Sequence, residues 1–161
     1  MHAVIAEYHP DHRHQLLALS LRAWKPVFAE MKHAVPPYVY QAFYPKGWED
    51  RQSQEIEAFL QDAPEAVLVA SMSNTVVGWV GTRLHPEDRM GEIYILAVEP
   101  SYQRQGVAKA LLEAAGARLR DAGMAMVMVE TGGDPGHAAS RHAYENAGFE
   151  RWPVARYFKQ L

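Results

Sequence analysis

The sequence predicts a mixed α/β domain in which helices flank a mostly antiparallel sheet holding one parallel strand pair. Three observations predict it. Seven short β-rich runs lie between turn residues. One long stretch of helical period separates the runs ending at Val98 and starting at Met124. That is the crossover parallel neighbours need, whereas the tight turns between other runs favour antiparallel pairing. Finally, 161 residues are enough for one domain to bury a core without staples, so residues 1–161 are read as a single domain.

The first run, Ala3 to Tyr8, leads into the turn His9-Pro10-Asp11. Leu16, Leu17, Ser20, Leu21 and Trp24 then recur at helical spacing. Pro26, Pro36, Pro37 and Pro45 punctuate an aromatic segment from Trp24 to Trp48 that fits no single element. Ile56, Phe59 and Leu60 define a helix over residues 49–61. Strands follow at 66–70, 76–84 and 92–98, separated by Ser73-Asn74 and by Pro86 to Arg89. Val107, Leu111, Ala115, Leu119 and Ala122 share one helical face, and Gly123 stands where a helix ends. Met124 to Glu130 is apolar on both faces, so it reads as a central strand. A helix over 137–147 closes at Gly148, and two strands, 149–152 and 155–159, finish the chain.

Composition narrows the function. Cysteine is absent, which excludes disulfides, a thiol nucleophile and cysteine-ligated metal. No metal site is expected. His9, His12 and His14 cluster, but His12 and His14 are two apart and do not share a helical face. The net charge of −3 lacks the basic excess of a nucleic-acid binder. The longest apolar runs fall far short of the roughly 20 residues that cross a bilayer. Glu7 and Asp11 interrupt any signal-peptide core. A soluble cytoplasmic protein with no membrane or nucleic-acid partner is expected.

The chemistry concentrates between Val98 and Lys109. A strand ends there, a short turn follows, and a helix opens with Gly106 in its first turn. A helix start carries unpaired N–H groups and the positive end of the dipole, which suits phosphate oxygens. Gly106 lets a ligand approach the backbone because no Cβ stands in the way. Ala108 lets the helix sit near the strand, and Arg104 and Lys109 add positive charge.

Gln103-x-x-Gly106-x-Ala108 resembles the (Gln/Arg)-x-x-Gly-x-(Gly/Ala) signature of the GNAT superfamily of acyl-CoA N-acyltransferases. The strand 92–98 before it, and Tyr144 followed by Gly148-Phe149, are similar to the family's neighbouring elements. The likeness runs from about Val67 to Phe149. It implies a GNAT-like sheet whose parallel pair splays apart to hold the pantetheine arm. Acetyl-CoA is then the acyl donor. Leu96, Ala97 and Val98 would bond the arm, with an amide at or beside Val98 polarising the thioester. Gln103, Arg104, Gln105, Gly106, Val107, Ala108 and Lys109 would cradle the pyrophosphate. His137 stands where many relatives carry Asn, and His137, Ser140 and Arg141 are further coenzyme contacts.

The resemblance makes Tyr144 the acid that protonates the leaving thiolate, and Glu92 the base, acting through water on the amine. The alternatives are a core tyrosine and a solvated strand-edge glutamate. The implied activity is N-acetyl transfer from acetyl-CoA to a small-molecule or peptide amine by direct attack, without a covalent enzyme intermediate. A CoA-binding regulatory module without turnover and a transferase of larger acyl groups are the alternatives. A homodimer is left open. The aromatic segment 24–48 suits either a wall for a cationic acceptor or ordinary packing.

Overall fold

The computed structural model describes residues 2–161. Five strands are ordered β1-β2-β3-β4-β5: β1 Val4–Glu7, β2 Val67–Met72, β3 Thr75–His85, β4 Met90–Val98 and β5 Met126–Val129. The first three pairings are antiparallel and β4–β5 is parallel. The helices are α1 Arg13–Ala34, α2 Pro37–Phe43, α3 Trp48–Asp62, α4 Val107–Asp121 and α5 Ala138–Asn146. The predicted mixed sheet is therefore present.

Two apolar clusters sandwich the sheet. One joins α4 to β2, β3 and β4 through Leu111, Ala115, Val80 and Ile93. The other joins α1 and α3 to the opposite face through Leu16, Leu19, Ile56, Phe59 and Trp79. Ser20, the one buried polar side chain of the core among the described residues, closes a short chain inside the second cluster. Trp79 Nε1 donates to Ser20 Oγ at 2.8 Å, and Ser20 Oγ donates to the Leu16 carbonyl at 2.6 Å. Ser20→Ala leaves a buried indole N–H without an acceptor. A loss of about 1–3 kcal/mol in urea unfolding is expected; a wild-type midpoint would show that water replaces the hydroxyl.

Three expectations are corrected. The strand read as central from its two apolar faces, β5, stands at the sheet edge and pairs only with β4. The helix read from Leu16 spans Arg13 to Ala34, 22 residues, and passes through Pro26, absorbing the first part of the aromatic segment. Pro26 lies on the exposed side, so the carbonyl it leaves unbonded faces water and the helix survives. The two C-terminal strands do not form. Residues 149–161 carry no strand, and Trp152, Val154 and Tyr157 are exposed. Their alternating apolar character found no adjacent ladder, since β5 pairs only with β4.

Helix ends follow their glycines. Gly123 and Gly148 both take left-handed φ values, 86° and 89°. In each case the next residue's N–H returns to the carbonyl five residues earlier: Met124 to Leu119 at 3.1 Å, and Phe149 to Tyr144 at 3.0 Å. This is the Schellman closure. At the second site it also brings the Phe149 ring edge-on to Tyr144, with centroids 5.7 Å apart. The Tyr-x-x-x-Gly-Phe pattern thus has a physical reason: the glycine reverses the chain so that the two rings meet.

Candidate active site

The site begins where the sheet opens. β4 pairs with β5 from Met90↔Met126 to Ile93↔Val129 and no further, although β4 runs on to Val98. The break coincides with a bulge. Gly81 opposes Ile95 while Thr82 opposes Ile93, so Tyr94 is an extra residue on β4. A bulge bends its strand and increases twist. Beyond it, Ile95, Leu96, Ala97 and Val98 have β3 on one side and no strand on the other. Three of the predicted coenzyme-contact residues, Leu96, Ala97 and Val98, lie on that open edge.

α1 spans the opening. Arg22 makes a two-nitrogen bridge to Glu99, just past β4, at 2.6–3.1 Å. Further along the helix, Val27 and Glu30 lie against Gly136 in the loop after β5, where a Cβ would meet the Val27 carbonyl at 2.8 Å. The helix rises roughly 8–12 Å between these anchors. That is comparable with two strand spacings of about 4.8 Å, the width one inserted extended chain requires.

At the end of the gap stands the turn into α4. Gln103 Nε2 donates to the Val98 carbonyl at 3.1 Å, and Gln105 Nε2 to the Ser101 carbonyl at 2.9 Å. Both glutamines therefore brace the turn from within. Arg104 and Gly106 take positive φ, 60° and 85°. The first backbone bond of α4 runs from Ala110 N–H to the Gly106 carbonyl at 3.0 Å, so the N–H groups of Val107, Ala108 and Lys109 have no acceptor in the helix. A Cβ built on Gly106 would meet nothing within 4 Å. The helix start thus faces open space, as an anion cup must. These features fit a coenzyme with a diphosphate and an extended arm.

Neighbouring residues divide the labour. Val107 is buried in the core and Ala108 packs beside it. The close approach of α4 to the sheet is made at Gly78, whose Cβ would meet the Ala97 carbonyl at 3.0 Å and Val107 at 3.1 Å. Sequence reasoning credited Ala108 for this and missed Gly78. Lys109 lies 3.8 Å from Glu113 and is mostly exposed. Arg141 donates to the carbonyls of Gly132 and Asp134 at 2.6 and 2.7 Å, and His137 Nδ1 lies 2.6 Å from Asp134 Oδ1. These two side chains hold the loop between β5 and α5 in shape. Ser140 is half-buried on the first turn of α5.

Tyr144 packs against the α4-side cluster. Burial pushes its phenol up to about 12. Glu92 precedes Ile93, the last residue of β4 that pairs with β5. Its Oε2 lies 2.7 Å from His85 Nε2, a partner that spacing alone did not reveal. Only the β3–β4 register brings them together. On the same face, the Arg83 guanidinium sits 3.4 Å from the centre of the Tyr94 ring. A groove of about 240 Å³ runs there between α3 and the sheet, flanked by Glu55, Phe59, Asp62, Arg83 and Tyr94. Much of the aromatic segment is packing: Phe28 stacks on Trp48 at 4.5 Å, and both are buried. Among the described residues, no cluster suits a metal ion and no helix is long and apolar enough to cross a membrane.

The sequence model of the GNAT acetyltransferase family matches residues 37–149. A mycothiol acetyltransferase of Cellulomonas flavigena is 32% identical over 114 residues, covering 65% of this chain and 32% of that protein. Its counterpart in Rhodococcus opacus is 31% identical over 120 residues, covering 69% and 39%. The chain spans about a third of the length of these relatives. Among solved structures, AAC(6')-Iy in complex with a CoA bisubstrate analog superposes over 100% of both chains, with a TM-score of 0.67 and 18% identity. The ribosomal-protein-S18-alanine N-acetyltransferase of Escherichia coli covers 94% of this chain and 80% of its own, with a TM-score of 0.64 and 21% identity. A family match across most of the chain, on a sheet opened beside a glycine-headed helix, places it: the chain belongs to the GNAT acetyltransferase family.

Proposed function

We propose that the chain transfers an acetyl group from acetyl-CoA to a small-molecule amine by direct attack. One observation carries this reading: the free β4 edge from Ile95 to Val98 runs into the uncovered start of α4 at Gly106. An extended, diphosphate-bearing thioester fits that continuous track. Acetyl-CoA supplies an acetyl group already activated as a thioester.

The chain's own groups do the rest. N–H groups of Val107 to Lys109, with the α4 dipole, hold diphosphate oxygens. An amide at or beside Val98 polarises the thioester carbonyl, a role needing fixed backbone rather than a particular side chain. Glu92 takes a proton from the incoming ammonium, directly or through water, so that the nitrogen attacks with its lone pair free. Tyr144 gives a hydrogen bond, and finally its proton, to the departing sulfur, and is reprotonated by the second proton the nitrogen sheds as the amide forms. A phenol near 12 stays protonated throughout the neutral range. It is a weaker donor than a free tyrosine near 10, so it acts on a thiolate that is itself poorly solvated in the gap.

The acceptor side is acidic and aromatic. Glu55 and Asp62 share a groove on the helix-covered face with Phe59, Tyr94 and Arg83; Arg83 already covers the Tyr94 ring, so the carboxylates are what suits a cationic amine. The mycothiol acetyltransferase relatives favour a small molecule over a protein. The test is thiol release from acetyl-CoA across amines including deacetylated mycothiol, an aminoglycoside, a polyamine and a peptide N-terminus. Turnover with at least one small amine, lost by about 10²-fold in Glu92→Gln, is expected. Tight coenzyme binding with no turnover on any amine would make the chain a binding module instead, and preference for a longer acyl-CoA would change the donor.

A further inference from the structure

His85 ends β3 and Glu92 lies near the start of β4. Their side chains meet on the face that α3 covers, with Nε2 2.7 Å from Oε2. The Glu92 side chain is 18% exposed and that of His85 33%, so the carboxylate is inside and the imidazole leads outward. The other ring nitrogen, Nδ1, lies 3.8 Å from Glu87 Oε1 on the turn after β3, and Glu87 is open to water. Glu92 Oε1 has no protein donor among the described residues. Arg83 stands opposite Glu92 in the β3–β4 register, with its guanidinium over Tyr94. Glu55 and Asp62 of α3 flank the same groove, and Met128 is the β5 neighbour of Glu92. The charged groups beside the pair are therefore Glu87 and Arg83, while Glu55 and Asp62 lie along the groove that Arg83 also lines.

We propose that His85 is a positioning residue for the proton-accepting carboxylate, and that its protonation switches that carboxylate off. This rests on Glu92 serving as the base. With neutral imidazole, Nε2–H donates to Oε2. The carboxylate is then fixed, and Oε1 alone is left to the acceptor. When the ammonium gives up its proton, one N–H bond breaks and one O–H bond forms at Oε1, while the His85 proton stays on Nε2. When pH falls and Nδ1 takes a proton from water, the imidazolium stands against the carboxylate. An adjacent cation holds a carboxylate in its charged form and so lowers its appetite for the amine proton. Histidine changes charge nearest neutrality. The acid limb of the rate profile therefore reports His85 rather than Glu92.

Three variants and one spectrum test this. His85→Phe removes the donor; kcat at the pH plateau is expected to fall about 10-fold or more, the low range for groups serving acid–base steps, with KM for acetyl-CoA unchanged. His85→Gln keeps an N–H donor without a titrating charge. It restores most of the plateau lost in His85→Phe, and its acid limb moves down by about 1 pH unit or more, toward the carboxylate range. The third readout needs no turnover. In the protein alone, the His85 Nε2–H proton resonance should move upfield in Glu92→Gln, because a neutral amide oxygen accepts more weakly than the carboxylate at 2.7 Å. An unmoved acid limb in His85→Gln, a wild-type plateau in His85→Phe, or an unmoved His85 N–H resonance in Glu92→Gln would each overturn the inference. If Glu92→Gln itself keeps full kcat, the base assignment falls instead.

Discussion

Gly106→Val is expected to weaken acetyl-CoA binding by about 10²–10³-fold while leaving the fold in place. The backbone there holds φ at 85°, and a β-branched side chain resists that region at roughly 1–2 kcal/mol. Its Cβ would project into the open space over the helix start, where it would push anion oxygens away from the Val107–Lys109 amides. Losing one or two charge-assisted hydrogen bonds costs about 1.5–3 kcal/mol each. Two such bonds at about 1.5–2 kcal/mol each amount to roughly 3–4 kcal/mol of binding, which is the stated fold-change. Because no protein atom lies within 4 Å of that Cβ, the unliganded variant should melt only a few degrees below wild type. Calorimetric titration with CoA and acetyl-CoA measures the effect, and the coenzyme-induced rise in Tm should vanish with it. Affinity within about threefold of wild type would remove the anion cup from α4.

Tyr144→Phe separates chemistry from binding. The variant keeps the ring that packs on Phe149 and deletes only the hydroxyl. With chemistry rate-limiting, kcat should fall about 10²-fold with the coenzyme Kd nearly unchanged, as for loss of an interaction made only in the transition state. Stability offers an independent reading. Burial raises the phenol from 10 to about 12, so between those values the folded protein holds a proton that the unfolded chain has released. Stability therefore falls as pH rises through that window, by on the order of 2 kcal/mol. Urea midpoints measured from pH 9 to 12 should decline less steeply in Tyr144→Phe than in wild type. Equal slopes would mean the hydroxyl is solvated, and an unchanged kcat would end its role as donor.

What could be read without coordinates was local. The Gly106 turn, the α4 stripe from Val107 to Leu119 and the helix-ending Gly123 and Gly148 each state their geometry within a few neighbouring residues. The features that stayed hidden are non-local. Tyr94 is surplus only relative to β3, and His85 meets Glu92 only through the β3–β4 register. Gly78 matters only because Val107 and the Ala97 carbonyl arrive above it. Pro26 misled because a proline's effect on a helix depends on which side faces water. The last dozen residues misled for a related reason: alternating apolar residues such as Trp152 and Val154 describe readiness to pair, and a partner strand decides whether pairing happens.

The surplus residue in β4 has a consequence for how this binding slot arises and how it is lost. Deleting one position at Tyr94 would remove the offset between β3 and β4, and with it the bend that the bulge gives the strand beyond Ile93. The open edge from Ile95 to Val98 would change through a one-codon deletion, with the uncovered amides of Val107 to Lys109 still in place.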